Sequence, residues 1–281
     1  AYAGDLQGNL YKFDLSSTDP TEWKVAGGSA MFSAKSASGA VQPITTAPVY
    51  QVHPTKGLMI VFGTGQNLTV ADRSDITTQS FYGLYDFGFK LNATDPYLAG
   101  GVTVTAASNM NQTVWSPLPG TRSTDMLGQT INSAAGTTTR NFDVASIGMS
   151  AMGTTYRGWF MDLPVQRERV LRNPRWFDGD LLDLLSDVPA VAAVSSDPCQ
   201  AVSTSAAAYY TTVVNAVTGN APVADVWVGE AGINRNDGEL ATVETFTDSN
   251  AMSTCVGPDC SSLDPVVRKL LGRYFKAPSW R

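Results

Sequence analysis

A chain of 281 residues that is 43% hydrophobic and only 16% charged is too long and too apolar to stay disordered, and it can fill one large domain or two ordinary ones. A formal charge of −6 with no basic block excludes a nucleic-acid footprint and a polybasic membrane patch. No run approaches the roughly 18–20 consecutive apolar residues that span a bilayer, and no basic, apolar, small-residue secretion signal occurs, so any export signal is expected outside these residues.

The opening AYAGDLQGNLYKFDL, residues 1–15, reads as two short strands joined by a turn. The lone histidine, His53, follows in YQVHPTKG, a strand-to-turn context with no GxSxG elbow or Cys-His arrangement around it, so no catalytic role is assigned to it. GLMIVFGTG at 57–65 and SFYGLYDFG at 80–88 are strands by their Val, Ile, Phe and Tyr content. Between them, GTGQNL lacks the Lys-Ser/Thr of a phosphate cradle and the third glycine of a dinucleotide fingerprint, and its glycines suit a tight turn. Asp72, Arg73 and Asp75 of VADRSDITTQS form, with Arg167, Glu168 and Arg169 of VQRERV, a candidate binding patch, although runs of charge are more often solvated.

GVTVTA at 101–106, YRGWFMDL at 156–163, AAAYYTTVVNAVTGN at 206–220 and DVWVGEAG at 225–232 continue the strand series. The intervening SSTDP, NATDP, SPLPG and SAAGTTT are loop-forming. Two stretches are helix candidates: DGDLLDLLSD at 178–187, and SLDPVVRKLLGRYF at 262–275, where Asp264 caps and Pro265 takes the first helical position; a twisted outer strand can carry the same residues. Asp178 and Asp180 make no acid–base pair without a geometry to support them. GINRNDGELAT at 232–242 places Asn234, Asn236, Asp237 and Glu239 near calcium-loop spacing but lacks the first Asp and the late bidentate Glu, which favours a plain β-turn. Sequons stand at Asn67, Asn92 and Asn111.

Cys255 and Cys260 enclose CVGPDC, a loop short enough for a local disulfide, whereas Cys199 has no evident partner. The alternative is three reduced thiols, and the isolated His53 leaves no zinc site. The expected class is all-β with loop insertions, such as 92–140, and little helix. GDLQGNLYKFDL and AYYTTVVNAVTGN share one layout, an aromatic-bearing strand followed by a turn ending in a small residue. That is the layout of propeller blades of roughly 40–50 residues, of which this length holds about five or six at most.

AGDLQGNLYKFDL, then IVFGTGQNL and DITTQSFYGLYD, then GWFMDLP with ERVLRNP, DPC, NAVTGNAP and a terminal SWR resemble, in that order, the motifs of the C-terminal β-propeller of the PilY1 family. The resemblance runs over residues 1–281 and implies the later portion of a single propeller, with further blades and the family's calcium loop upstream of Ala1. Calcium is therefore implied for the family without a ligand inside this chain. The resemblance further implies a non-enzymatic component of the type IV pilus tip, exported to the bacterial cell surface, that works with minor pilins in pilus biogenesis, surface adhesion and twitching motility. Implied partners are minor pilins, an upstream segment of the same polypeptide or another subunit, and host or abiotic surfaces. Residues 3–13 are expected to pair with, or pack on, such an external segment, and the fragment to be unable to close alone. Export would favour a Cys255–Cys260 bridge. The competing class is a propeller enzyme of the quinoprotein dehydrogenase type, using pyrroloquinoline quinone and calcium; the chain lacks its repeated Trp signature and its adjacent cysteine pair.

Overall fold

The computed structural model describes residues 1–54, 57–86, 126–133, 140–143, 147–153, 155–192, 204–205, 207–222, 233–237, 243–248, 251–256 and 267–269. Among these the regular structure is β, with a few single 3-10 turns and no α-helix. β1 (Tyr2–Gly4), β2 (Asn9–Asp14), β3 (Lys24–Val25) and β4 (Phe32–Ser33) form the first sheet. The Asp5 carboxylate shapes the β1–β2 turn by accepting from the backbone N–H groups of Gln7 and Asn9, each at 2.8 Å. β2 pairs with β1 along one edge and with β3 and β4 along the other, and Leu10 packs in the core beside Phe32. Both edges of β2 thus find pairing inside the chain itself, while β1 pairs with β2 alone among the described residues. The reason is local: β4 and the short β3 supply the second edge of β2.

β5 (Val49–Val52), β6 (Leu58–Gly63), β7 (Ser80–Asp86), β8 (Met126–Ser133), β9 (Arg140–Asp143) and β10 (Gly158–Asp162) form a six-stranded sheet in the order β5-β6-β7-β10-β8-β9. β7 is buried at every residue, which is why SFYGLYD reads as a continuous apolar run and not as an alternation. β10 lies antiparallel to β7 and parallel to β8. β11 (Arg175–Asp178) and β12 (Leu181–Val188) are followed by a two-stranded ribbon, β13 (Val191–Ala192) and β14 (Thr204–Ser205), and then by β15 (Ala208–Asn215) and β16 (Ile233–Asp237). β11, β12, β15 and β16 form the third sheet in that order. β17 (Val243–Asp248), β18 (Ala251–Val256) and β19 (Val267–Lys269) form another, antiparallel throughout.

Both helix candidates are corrected. Residues 181–188 are strand β12, in eight-residue register with β15 from Leu181 opposite Asn215 to Val188 opposite Ala208. Both faces of the LLDLLS run are buried, so it needs sheet neighbours more than a one-sided helical stripe, and Asp178-Gly179 supplies the hairpin turn from β11. Residues 267–269 of the second candidate are strand β19, paired with β18; Asp264 and Pro265 lie outside the described residues, as do the expected strands at 101–106 and 225–232.

One apolar core joins the first three sheets, running from Leu10 and Phe32 through Phe62, Tyr82 and Trp159 to Leu182, Val214 and Val217. Phe32 meets Tyr82 edge-on with ring centroids 5.1 Å apart, and Phe62 stacks on Tyr82 at 5.4 Å. Two polar ties cross between sheets. The Lys12 ammonium lies 2.6 Å from the Asp86 carboxylate, both fully enclosed, and the Tyr2 hydroxyl donates to the same oxygen at 2.6 Å. Trp159 of β10 is fully buried and donates from its indole N–H to the Ala216 carbonyl at 3.2 Å, beyond the end of β15.

Candidate functional site

The two charged motifs singled out in the sequence are brought together, and three of their six charged residues are buried. Glu168 and Arg169 are 1% and 2% exposed and Asp72 is 8% exposed, so the expectation of solvated charge fails for these three. Arg169 enters the loop 66–75 and its guanidinium donates to the carbonyls of Gln66 at 2.7 Å, Asp72 at 2.5 Å and Asp75 at 2.8 Å, while Nε donates to Arg167 O at 3.0 Å. A loop that turns its carbonyls inward must find donors for them, and one planar guanidinium supplies several in a fixed fork. Asp72 completes the loop from within: it accepts from the N–H groups of Leu68 and Thr69 and from the Gln66 amide, and these hydrogen bonds hold its carboxyl below the usual carboxylate range.

Close approach of Arg169 to the end of β6 depends on Gly65. At φ +138 it occupies backbone space that side chains rarely adopt, and an added Cβ would lie 2.5 Å from the Arg169 Cβ. The glycines of GTG thus admit a neighbouring chain as well as turning their own. Val170 N–H then donates to Thr64 O at 2.8 Å, and Arg169 exchanges backbone hydrogen bonds with Asp187 of β12. Glu168 accepts from the Ser186 hydroxyl at 2.5 Å and from the Val165 N–H. Segment 165–170 is therefore a strap between the six-stranded sheet and the third sheet.

Beside this strap lies a cavity of about 270 Å³, lined by Asn67 and Arg73 from the loop, Leu171 and Arg172 after the strap, Asp187 and Val188 of β12, and Pro189, Ala190, Ala207 and Ala208. Burial pushes the Asp187 carboxyl up to about 6; nearby Glu168 adds to the rise and Arg172 opposes it. Its Oδ2 is buried with no hydrogen-bond partner. A carboxyl whose folded pKa exceeds its unfolded value binds its proton more tightly when folded, so this group destabilises above pH 6 and that cost fades as pH falls toward 4. Asp187→Asn is expected to raise the unfolding free energy by about 1–3 kcal/mol at pH 8 and to leave it nearly unchanged at pH 4, as read from urea melts at the two pH values.

A second, more open cavity of about 720 Å³ is lined by Asp14, Ser16, Ser17, Thr21, Glu22, Trp23 and Lys24 on the loop between β2 and β3.

The remaining candidates resolve individually. His53 is a core histidine: it is 3% exposed, its Nε2 lies 3.0 Å from Met149 O, its ring meets Tyr85 edge-on at 5.0 Å, and burial lowers its pKa. The Asp180 carboxylate accepts from the Asn215 amide. Ile233–Asp237 of GINRNDGELAT is strand β16, paired with β15, and not an open turn. Asn67 lines the smaller cavity, while Asn92 and Asn111 lie outside the described residues. Cys199 and Cys260 also lie outside them, and of Cys255 only its backbone place in β18 is described, so the bridge stays an expectation. No group of three or more His, Cys, Asp and Glu able to hold a metal ion occurs among the described residues.

Residues 1–114 match the family model of the PilY1 β-propeller domain. Over 106 residues the chain is 42% identical to the type IV pilus biogenesis factor PilY1 of Pseudomonas aeruginosa strain PAO1, covering 31% of this chain and 9% of that protein. It is 33% identical over 111 residues to a type IV pilus biogenesis factor PilY1 homolog of Xylella fastidiosa, covering 37% of this chain and 7% of the homolog. To PilY1 of Pseudomonas aeruginosa strain UCBPP-PA14 it is 25% identical over 311 aligned residues, which take in 94% of this chain and 25% of that protein. The chain thus spans a quarter or less of the length of these relatives. The crystal structure of the Pseudomonas aeruginosa PilY1 C-terminal domain superposes with a TM-score of 0.63 at 20% identity, over 95% of this chain and 56% of that one, which shows a shared β-propeller fold. Residues 1–114 are thus similar to the PilY1 β-propeller domain, and the described chain shares its fold with the PilY1 C-terminal domain.

Proposed function

We propose that the chain is a non-enzymatic propeller module of a type IV pilus biogenesis factor, acting at the bacterial surface with minor pilins and supporting adhesion and twitching motility. The observation that carries this reading is the match of residues 1–114 to the PilY1 β-propeller, continued at lower identity over 94% of the chain. The buried charges Asp72, Glu168 and Arg169 are committed to backbone and hydroxyl partners and tie two sheets together, which gives them a structural role. Among the described residues no helix is long and apolar enough to cross a membrane.

The test is immunoprecipitation of the native polypeptide from the envelope of a piliated cell. Minor pilins should co-purify in near-stoichiometric amount. Their absence, together with alcohol-dependent dye reduction after addition of pyrroloquinoline quinone and calcium, would replace the assembly role with the quinoprotein one.

A further inference from the structure

We propose that the cavity beside loop 66–75 is a docking site for an apolar peptide segment that carries a carboxylate, with Arg73 as the group that holds it. The inference goes beyond the pilus role and does not depend on it, since it rests on the cavity alone.

The free cation selects the ligand. Arg73 stands at a cavity whose lining carries a single carboxylate, Asp187, inside a chain whose formal charge is −6. Arg73 is exposed, and neither a hydrogen bond nor an ion pair joins its side chain to another described residue. The same holds for the Asn67 amide, which is partly buried at the cavity wall. An arginine left uncommitted at the mouth of a cavity is suited to a planar two-oxygen anion, which it can grip through two parallel hydrogen bonds.

The walls select what accompanies that anion. Leu171, Val188, Pro189 and Ala208 present small apolar surfaces, and 270 Å³ corresponds to about nine waters at roughly 30 Å³ each. That space takes one side chain of Val or Leu size with its carboxylate, and not a nucleotide. Between Asn67 and Arg73 the loop carries Leu68 and Val70, 66% and 86% exposed, so apolar surface continues outward from the cavity mouth. Large apolar side chains held in water next to a pocket mark a contact surface. Arg169 and Asp72 fix the loop that displays them, so little ordering cost falls on binding.

Titration calorimetry on the purified protein tests this with three peptides: acetyl-Val-Val-Leu as the free acid, the same peptide as its amide, and acetyl-Val-Asp-Leu-amide. A carboxylate-bearing peptide should bind and the neutral amide should bind at least about tenfold more weakly, the loss expected for one charge-assisted pair. Preference for the first peptide over the third identifies a chain terminus as the natural ligand, and the reverse identifies an acidic side chain. Arg73→Ala, at an exposed position that leaves the near-UV circular dichroism unchanged, should weaken binding about tenfold. Asp187→Asn should tighten it severalfold at pH 7.5 by removing the carboxylate from the cavity wall. Equal binding of acid and amide, wild-type affinity in Arg73→Ala, or no binding of either carboxylate peptide at millimolar concentration would overturn the proposal.

Discussion

Trp159→Ala is expected to destabilise the protein by about 3–5 kcal/mol, the range of large aromatic truncations in cores. The indole is fully buried, and two glycines are shaped around it. A Cβ at Gly83 of β7 would fall 2.2 Å from its Nε1, and one at Gly219, a turn residue with φ +68, would fall 2.7 Å from its Cδ2. Truncation therefore opens a void between a β7 glycine and the turn after β15, neither of which has a side chain to fill it, and it orphans the Ala216 carbonyl. Urea melts should show a lower midpoint with an unchanged slope. A variant with full stability and impaired partner binding would assign Trp159 to an interface instead.

Lys12→Met should cost a comparable 3–5 kcal/mol. The Lys12 side chain is 1% exposed and Asp86 0%, so removing the ammonium leaves a carboxylate enclosed away from water without its ion-pair partner, beside the Tyr2 hydroxyl. Burial lowers the Lys12 pKa and Asp86 pulls it back up, the balance expected of an ion pair that offsets its own desolvation. The double variant Lys12→Met/Asp86→Leu should recover much of the loss, because apolar replacement of both partners removes the stranded charge. Equal loss in single and double variants would show that shape, and not charge, sets the cost.

The strands were legible where burial is two-sided. IVFG, SFYGLYD and GWFMD are runs that only a packed sheet uses up, and they became β6, β7 and β10. DGDLLDLLSD misled because leucines at helical spacing also fit a strand buried on both faces; the Asp-Gly turn before it was the better signal. The strap was half legible. Sequence shows that VADRSD and VQRERV are charged, but whether a guanidinium meets solvent or carbonyls depends on the backbone orientation of a loop lying 94–103 residues away in the chain. The Lys12–Asp86 pair was missed for the same reason: 74 residues separate two charges whose neighbours in sequence are ordinary. The glycine of GTG carried a usable hint, since a glycine beyond what a turn needs marks a close backbone approach.

The proposed role in assembly of type IV pili is tested most directly by the amount of major pilin sheared from the surface of cells lacking the polypeptide that contains this chain. A large loss of surface pilin is expected, restored by the wild-type polypeptide and not by one carrying Trp159→Ala. Undiminished surface pili in the deletion strain would contradict it.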